Sequence, residues 1–454
     1  MPEYILPTLF EAIKNNDEGL LKRLLEKRPG LAKKSDALGM TALMLAAKHG
    51  RMPCLEALIP VSNPLAIDTE GYSALMMALN TMWPSVDCVR ALIPVSEPLA
   101  VARDGRSALM LAAREGSIDC VEALIPVSDP SAVDEKGSSA LMFAARMGNH
   151  GCVQALLPVS DIHIRNIYGA TLLMEAASSG SVECVRTLLP LSDPLATDFT
   201  GGTALIWAAV TGYLACIQAL LPVSDPLAVD KRGYSALTEA VLYGDPECVK
   251  ALLPVSDPLA LDMDGKSVLM RAAGFGNIDC VEALIPVTDP LAVDHAGCSA
   301  LMSAARYGYA DCVDALIPVS NPLTVDEHGR SALMFAVQRM AIDCVRLLVP
   351  VSDPLAARDD GRTALMVAAE LGDEDCVRAL LPAGDPRRAG RDSRTALMLA
   401  AAKGHTDCVR ILLPVSDPFA ADSNGRSALD LAVDAGHRDV TRRIRRYTDA
   451  RLEA

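Results

Sequence analysis

Cysteine and histidine are the side chains of this 454-residue chain that could hold a metal or pair as nucleophile and base, with thirteen of the first and seven of the second. Their spacing argues against both chemistries. Twelve cysteines, Cys54, Cys88, Cys120 and so on to Cys408, occupy one recurring position, and from Cys88 onward the interval is always 32 residues. Zinc sites draw cysteine pairs roughly two to four residues apart, and a disulfide needs Cα atoms within about 7 Å. Stacked repeats separate these residues by more than that, so the cysteines are expected to be small buried hydrophobes. The thirteenth, Cys298, follows His295 by three residues in a turn, which rarely orients a nucleophile and its base. The other histidines are scattered over different repeat positions. Recurrent aspartates such as Asp134, Asp230, Asp294 and Asp326 supply one carboxylate per repeat, too few for calcium, which takes about six to eight oxygens. No phosphate-binding loop, dinucleotide fingerprint, zinc-protease helix or nucleophile elbow occurs. No catalytic residue, metal or cofactor is expected, and the chain reads as a non-enzyme.

The remaining chemistry is recognition. Aromatic residues and arginine dominate binding hot spots, and aromatics make up only 4% of this chain. Ten of them sit where the repeats differ from one another: Tyr72, Phe143, Tyr168, Phe199, Trp207, Tyr234, Tyr243, Phe275, Tyr307 and Phe335. Eight lie between Tyr168 and Phe335, with Arg271, Arg306, Arg339, Glu175 and Glu239 among or beside them. Trp83 stands in a two-residue insertion within Leu79–Val86. The candidate partner contacts are Tyr168, Phe199, Trp207, Tyr234, Tyr243, Phe275, Arg306, Tyr307, Phe335 and Trp83. The alternative is packing, between adjacent first helices for Phe143, Trp207 and Phe335, likewise for turn positions such as Tyr168, Phe199 and Tyr234, and back onto its own repeat for Trp83.

The scaffold that presents these residues is a repeat. A Ser or Thr followed two residues on by Leu recurs thirteen times from Thr41 to Ser427, at intervals of 32 except for one of 34. A period of this size marks a solenoid, in which each repeat buries its apolar face only against its neighbours. In the repeat from Asp134, Asp-x-x-Gly forms a tight turn and Ser139 caps a short Ala-rich helix, Ala140 to Met147. Gly148 ends it. The second helix, Gly151 to Leu157, has Cys152, Val153, Leu156 and Leu157 on one face. Pro158 stops it, and an extended segment leads to the next turn.

This pattern resembles the ankyrin repeat. The family's T-P-L-H-x-A-A is matched by Thr41-Ala-Leu-Met-Leu-Ala-Ala47, and its second helix by Gly404-His-Thr-Asp-Cys-Val-Arg-Ile-Leu-Leu413. The resemblance runs from about Pro7 to Tyr447. It implies an all-α ankyrin-repeat solenoid of stacked helix-turn-helix repeats with short hairpin-like turns. It also implies a concave face, lined by the turn and first-helix positions, that binds proteins. The sequence departs from the family in three ways: Met replaces the family's His, whose bonds to the turns must be lost or replaced, the repeat is 32 residues long, and Cys stands where Ile or Val is usual.

Residues 1–35 read as an N-terminal capping repeat, 36–429 as the array, and 430–454 as a C-terminal capping helix and tail. Both ends are amphipathic with charged outer faces, as terminal repeats require. The formal net charge of −15 argues against nucleic acid or an anionic membrane as partner. Arg442, Arg443, Arg445 and Arg446 form a local basic cluster on the last helix, its outer face or a contact for an acidic partner. No stretch of 18 apolar residues occurs, and the free cysteines fit a reducing compartment. The expectation is a monomeric, cytoplasmic, non-enzymatic scaffold for a protein partner. Resemblance to bacterial and protist arrays of this type implies an alternative, an effector or regulator that acts on a host or partner enzyme, secreted into a host cell.

Overall fold

The computed structural model describes residues 5–452. Among them are 28 α-helices and no strand, the helix-turn-helix solenoid that the repeat predicts. The chain divides into two compact halves, Met1–Lys231 and Arg232–Ala454.

The repeat from Asp134 shows the local causes. Asp134 Oδ1 accepts from the backbone N–H groups of Lys136 and Ser138 at 2.9 and 2.8 Å. Val133 and Ser139 pair across the turn as an isolated antiparallel bridge. Ser139 Oγ accepts from Met142 N at 3.3 Å and so caps the first helix, Ala140–Arg146, a contribution of about 1 kcal/mol. The second helix, His150–Leu156, buries Cys152, Val153 and Leu156. Pro158 does more than stop it: the chain tightens into a 3-10 turn, Leu157–Val159, with Pro158 near its start. A missing N–H costs little there.

Backbone bonds between turn tips fix the stacking within each half. Glu135 N donates to Asp104 O at 3.1 Å and Phe199 N to Tyr168 O at 2.9 Å in the first half; Met263 N donates to Arg232 O at 3.2 Å and Glu327 N to Ala296 O at 2.9 Å in the second. The approach is close enough to demand glycine. A Cβ on Gly105, whose φ is +79°, would lie 2.9 Å from Glu135 N. Small side chains serve the same end between first helices: Ala112, Ala113, Ala144 and Ala145 are fully buried.

The exchange of His for Met has a structural answer. Met44, Met110 and Met174 turn their sulfur toward the N–H of their own cap residues at 3.4 Å, a weak acceptor role. Most turns are instead closed by their own aspartates, and one by Asn166.

At the N-terminal end, helices Ile5–Lys14 and Glu18–Lys27 bury Leu9, Ile13 and Leu21. At the other end Val440 and Ile444 of the 15-residue helix Arg438–Leu452 face inward. The sequence boundary at residue 430 falls inside the helix Ala428–Asp434.

Candidate functional site

The positions that vary between repeats are the two residues at the turn tip, the residue before the helix cap, and the outer face and end of the first helix, and how far each reaches solvent differs from repeat to repeat. What stands there decides what the face can do.

In the first half, Trp83 is 87% exposed. It projects beyond the helix Ala74–Leu79 and does not fold back on its own repeat. Tyr168 and Phe199 are exposed on successive turn tips. The Phe199 ring covers Gly169, where a Cβ would lie 2.7 Å from it. Trp207 is half-buried, and its Nε1 donates to Asp198 Oδ2 at 2.9 Å, so part of its role is to hold its own turn. Phe143 is buried, flanked by the guanidinium groups of Arg106 and Arg146 at 5.7 and 5.6 Å. Arg146 also binds the carboxylate of buried Glu175 at 2.6 Å.

In the second half, Tyr243, Phe275 and Tyr307 close the first helices Ala236–Tyr243, Val268–Phe275 and Ala300–Tyr307. They occur at one register in three consecutive repeats, and each is more than half exposed. Tyr234 lies between Arg232 and Arg271, 4.4 and 5.0 Å from its ring centre. Phe335 requires a correction. It is only 3% exposed, and Arg306 and Arg330 cover its two sides at 4.3 and 4.7 Å. Its ring is a packing element, as the alternative reading has it, and Arg306 is the group presented to the surface.

Two features escaped the sequence. Tyr309, at the cap of the helix Ala310–Leu316, has its ring 6.4 Å from that of Tyr307. Its ring also covers Gly276, where a Cβ would lie 2.5 Å away. The bulky residue at a cap position, one repeat after a helix-ending glycine, was the available signal. The second feature is a row of exposed leucines on the return segment: Leu195 and Leu227 in the first half, Leu259, Leu291 and Leu323 in the second, all more than half exposed. The same apolar residue recurring at a solvent position in consecutive repeats from Leu195 to Leu323 marks that row.

The chemistry of the thiols is that of a core. All thirteen cysteines are free and buried. Burial pushes Cys152, Cys280 and Cys312 up to about 11 and Cys248 up to about 12, so none of these is a thiolate near neutral pH. Cys298 is also raised by burial, although Arg306 pulls the other way, and His295 is exposed with its ring over Gly265. No group of three or more potential metal ligands occurs among the described residues. No helix among them is long and apolar enough to cross a membrane.

A family model described as ankyrin repeats (3 copies) matches residues 9–102, 84–166, 109–198, 151–230, 173–262, 237–324, 301–389 and 384–452. The overlapping matches span nearly the whole chain. No curated protein matches it.

Proposed function

Since the chain belongs to the ankyrin-repeat family, a family of protein-interaction modules, we propose that it is a scaffold that grips a protein partner along its concave face. The observation that carries this reading is the row Tyr243, Phe275 and Tyr307, three aromatic side chains exposed at one register. Exposed aromatics on a rigid scaffold are what a binding hot spot needs, because they give large contact area at low entropic cost. Tyr168, Phe199 and Trp83 are the corresponding anchors of the first half, and Arg306 contributes a planar cation. Thirteen free cysteines and no disulfide among the described residues favour a reducing compartment as the place of action.

The test compares wild type with the triple variant Tyr243→Ala, Phe275→Ala and Tyr307→Ala, both immobilised and exposed to one lysate. A protein held by wild type and released by the variant, with an unchanged far-UV circular dichroism spectrum, supports the assignment. Undiminished retention by a folded variant refutes it.

A further inference from the structure

Alongside this aromatic row lies a cleft of about 230 Å³, made by three small residues where other repeats carry large ones. The fourth residue after the cap is Trp207, Arg271 or Phe335 elsewhere, and here it is Ser303. The residue before the cap is Tyr234 or Arg330 elsewhere, and here it is Cys298. The seventh residue after the cap is Arg146 or Arg306 elsewhere, and here it is Gly274. A single side chain fits such a space, which is smaller than the roughly 300–1,000 Å³ of ordinary ligand pockets.

The polar groups in the cleft are unusual. Asp294 is 92% buried, being 8% exposed, and its Oδ1 is committed to the N–H groups of Ala296 and Cys298 at 3.0 and 2.8 Å. In several other repeats the second oxygen of this aspartate is also taken, although Asp134, like Asp294, bonds only through Oδ1 among the described residues. Trp207 binds Asp198 Oδ2 at 2.9 Å, Arg271 binds Asp262 Oδ2 at 2.7 Å, and Arg330 binds Asp326 Oδ2 at 2.7 Å. Ser303 is too short to reach, and its Oγ donates to Ser299 O instead. Asp294 Oδ2 has no hydrogen-bond partner among the described residues, although Asp294 lines the cleft. That oxygen is not sealed from solvent, so water can serve it in the cleft, and an occupant that displaces the water must itself donate or the bond is lost. Lys266 and Arg306 line the same cleft, and neither has a carboxylate partner among the described residues. Arg306 spends one Nη2 bond on Cys298 Sγ at 3.1 Å. Phe275 and Tyr307 supply aromatic walls.

The occupant must donate to one oxygen, accept from a cation and lay an apolar slab between rings. A carboxylate would satisfy the cations and meet repulsion from Asp294. An ammonium would do the reverse, and a bare phenyl group would supply the slab but neither hydrogen bond. A phenol does all of it. We propose that the cleft receives a tyrosine side chain of the partner, its hydroxyl donating to Asp294 Oδ2 and accepting from Lys266 or Arg306. Only the source of that tyrosine rests on the scaffold reading; the chemistry of the cleft can be tested without a partner.

The probe is N-acetyl-tyrosinamide, compared with N-acetyl-phenylalaninamide and N-acetyl-glutamic acid amide. The readout is the methyl resonance of Met270, which lines the cleft, in protein labelled at the methionine methyl groups and assigned with Met270→Leu. The tyrosine probe should shift that resonance saturably and bind about ten- to a hundredfold more tightly than the phenylalanine probe, as one net hydrogen bond to a charged group implies. Ser303→Phe, which copies the side chain at Phe335, should abolish the shift. Asp294→Asn copies Asn166, whose Oδ1 keeps both turn bonds at 2.9 and 3.0 Å. It replaces the acceptor with a donor and should remove the preference for tyrosine. Equal binding of the first two probes to wild type, preference for the acidic probe, binding that survives Ser303→Phe, or no shift with the tyrosine probe at its solubility limit would each overturn the proposal. If Ser303→Phe fails to fold, Asp294→Asn decides alone. Failure of the probe while capture still depends on Tyr243, Phe275 and Tyr307 would remove the tyrosine pocket and leave the scaffold standing.

Discussion

Alkaline pH should loosen the array through its buried thiols, and Cys312 allows the effect to be isolated. It is 1% exposed, and burial pushes its thiol up from an ordinary 9.0 to about 11. A pKa raised by folding gives stability that is fully present below the unfolded value and is lost as pH rises through the folded one. At pH 10 the unfolded thiol is one unit above its pKa and mostly ionised, while the folded one is still mostly neutral. The penalty is about 1.4 kcal/mol for this one residue. Other groups titrate in the same range, so the comparison must be differential. Cys312→Val removes the proton and adds a methyl group, at a packing cost of about 1–3 kcal/mol that does not depend on pH. Urea unfolding of both proteins, followed by circular dichroism at pH 8 and pH 10, should show wild type losing about 1 kcal/mol relative to the variant between the two. A difference that stays constant would mean that water reaches the thiol, and that cysteine does not act as a sealed core residue.

Three further outcomes follow from particular residues. Met340 and Ser393 hold φ of +60° and +57° at positions where other repeats place glycine. Met340→Gly and Ser393→Gly should each raise stability by about 1 kcal/mol in thermal unfolding, and a loss would show that the side chain's contacts outweigh the backbone strain. Arg146→Ala leaves Glu175, 2% exposed, with only the Asn166 amide at 3.0 Å. Water reaches the partly exposed arginine, so the expected cost is about 2–3 kcal/mol, most of it recovered in Arg146→Leu with Glu175→Leu; an equal loss in the double variant would refute the pairing argument. Burial raises Asp326, but its bonds to Arg330 and to two backbone N–H groups outweigh that and lower it below 3.8. A lowered carboxylate stabilises above its unfolded pKa and loses that contribution as pH falls, so Asp326→Asn should flatten the fall in melting temperature below about pH 4, and an unchanged slope would exclude this residue.

The fold was legible because one pattern is written thirteen times. Asp134, Gly137, Ser139 and Cys152 each do what their types suggest, since turn geometry, capping and burial are local consequences of short sequence. The site was less legible for a physical reason. A solenoid position can be read as outward, but whether its side chain reaches solvent depends on the next repeat. Phe335 and Tyr307 both stand on first helices, yet Arg306 and Arg330 cover the former while the latter stays more than half exposed. Trp207 illustrates the intermediate case, half spent on Asp198. The cleft was illegible because it is made by small residues, which mark a cavity only once the neighbouring repeat is packed beside them.

That difference bears on how such a scaffold achieves specificity. The leucine row offers identical chemistry every 32 residues. A partner that read only Leu259, Leu291 and Leu323 would lose almost nothing by sliding one repeat, so the row can add contact area without fixing register. Tyr243, Phe275 and Tyr307 narrow the choice to three repeats, but they too resemble one another. A cleft bounded by Gly274, Cys298 and Ser303 occurs where three truncations coincide, and its unpaired Asp294 oxygen rejects any group that cannot donate to it. In a repeat protein the departure in size therefore sets the register, and the recurring residues around it supply affinity. On this argument Ser303→Phe should release a partner from its register without removing the aromatic row, leaving weak and sliding attachment where Tyr243, Phe275 and Tyr307 changed together would leave none. Complete loss of attachment in a folded Ser303→Phe would show instead that the row has little affinity of its own.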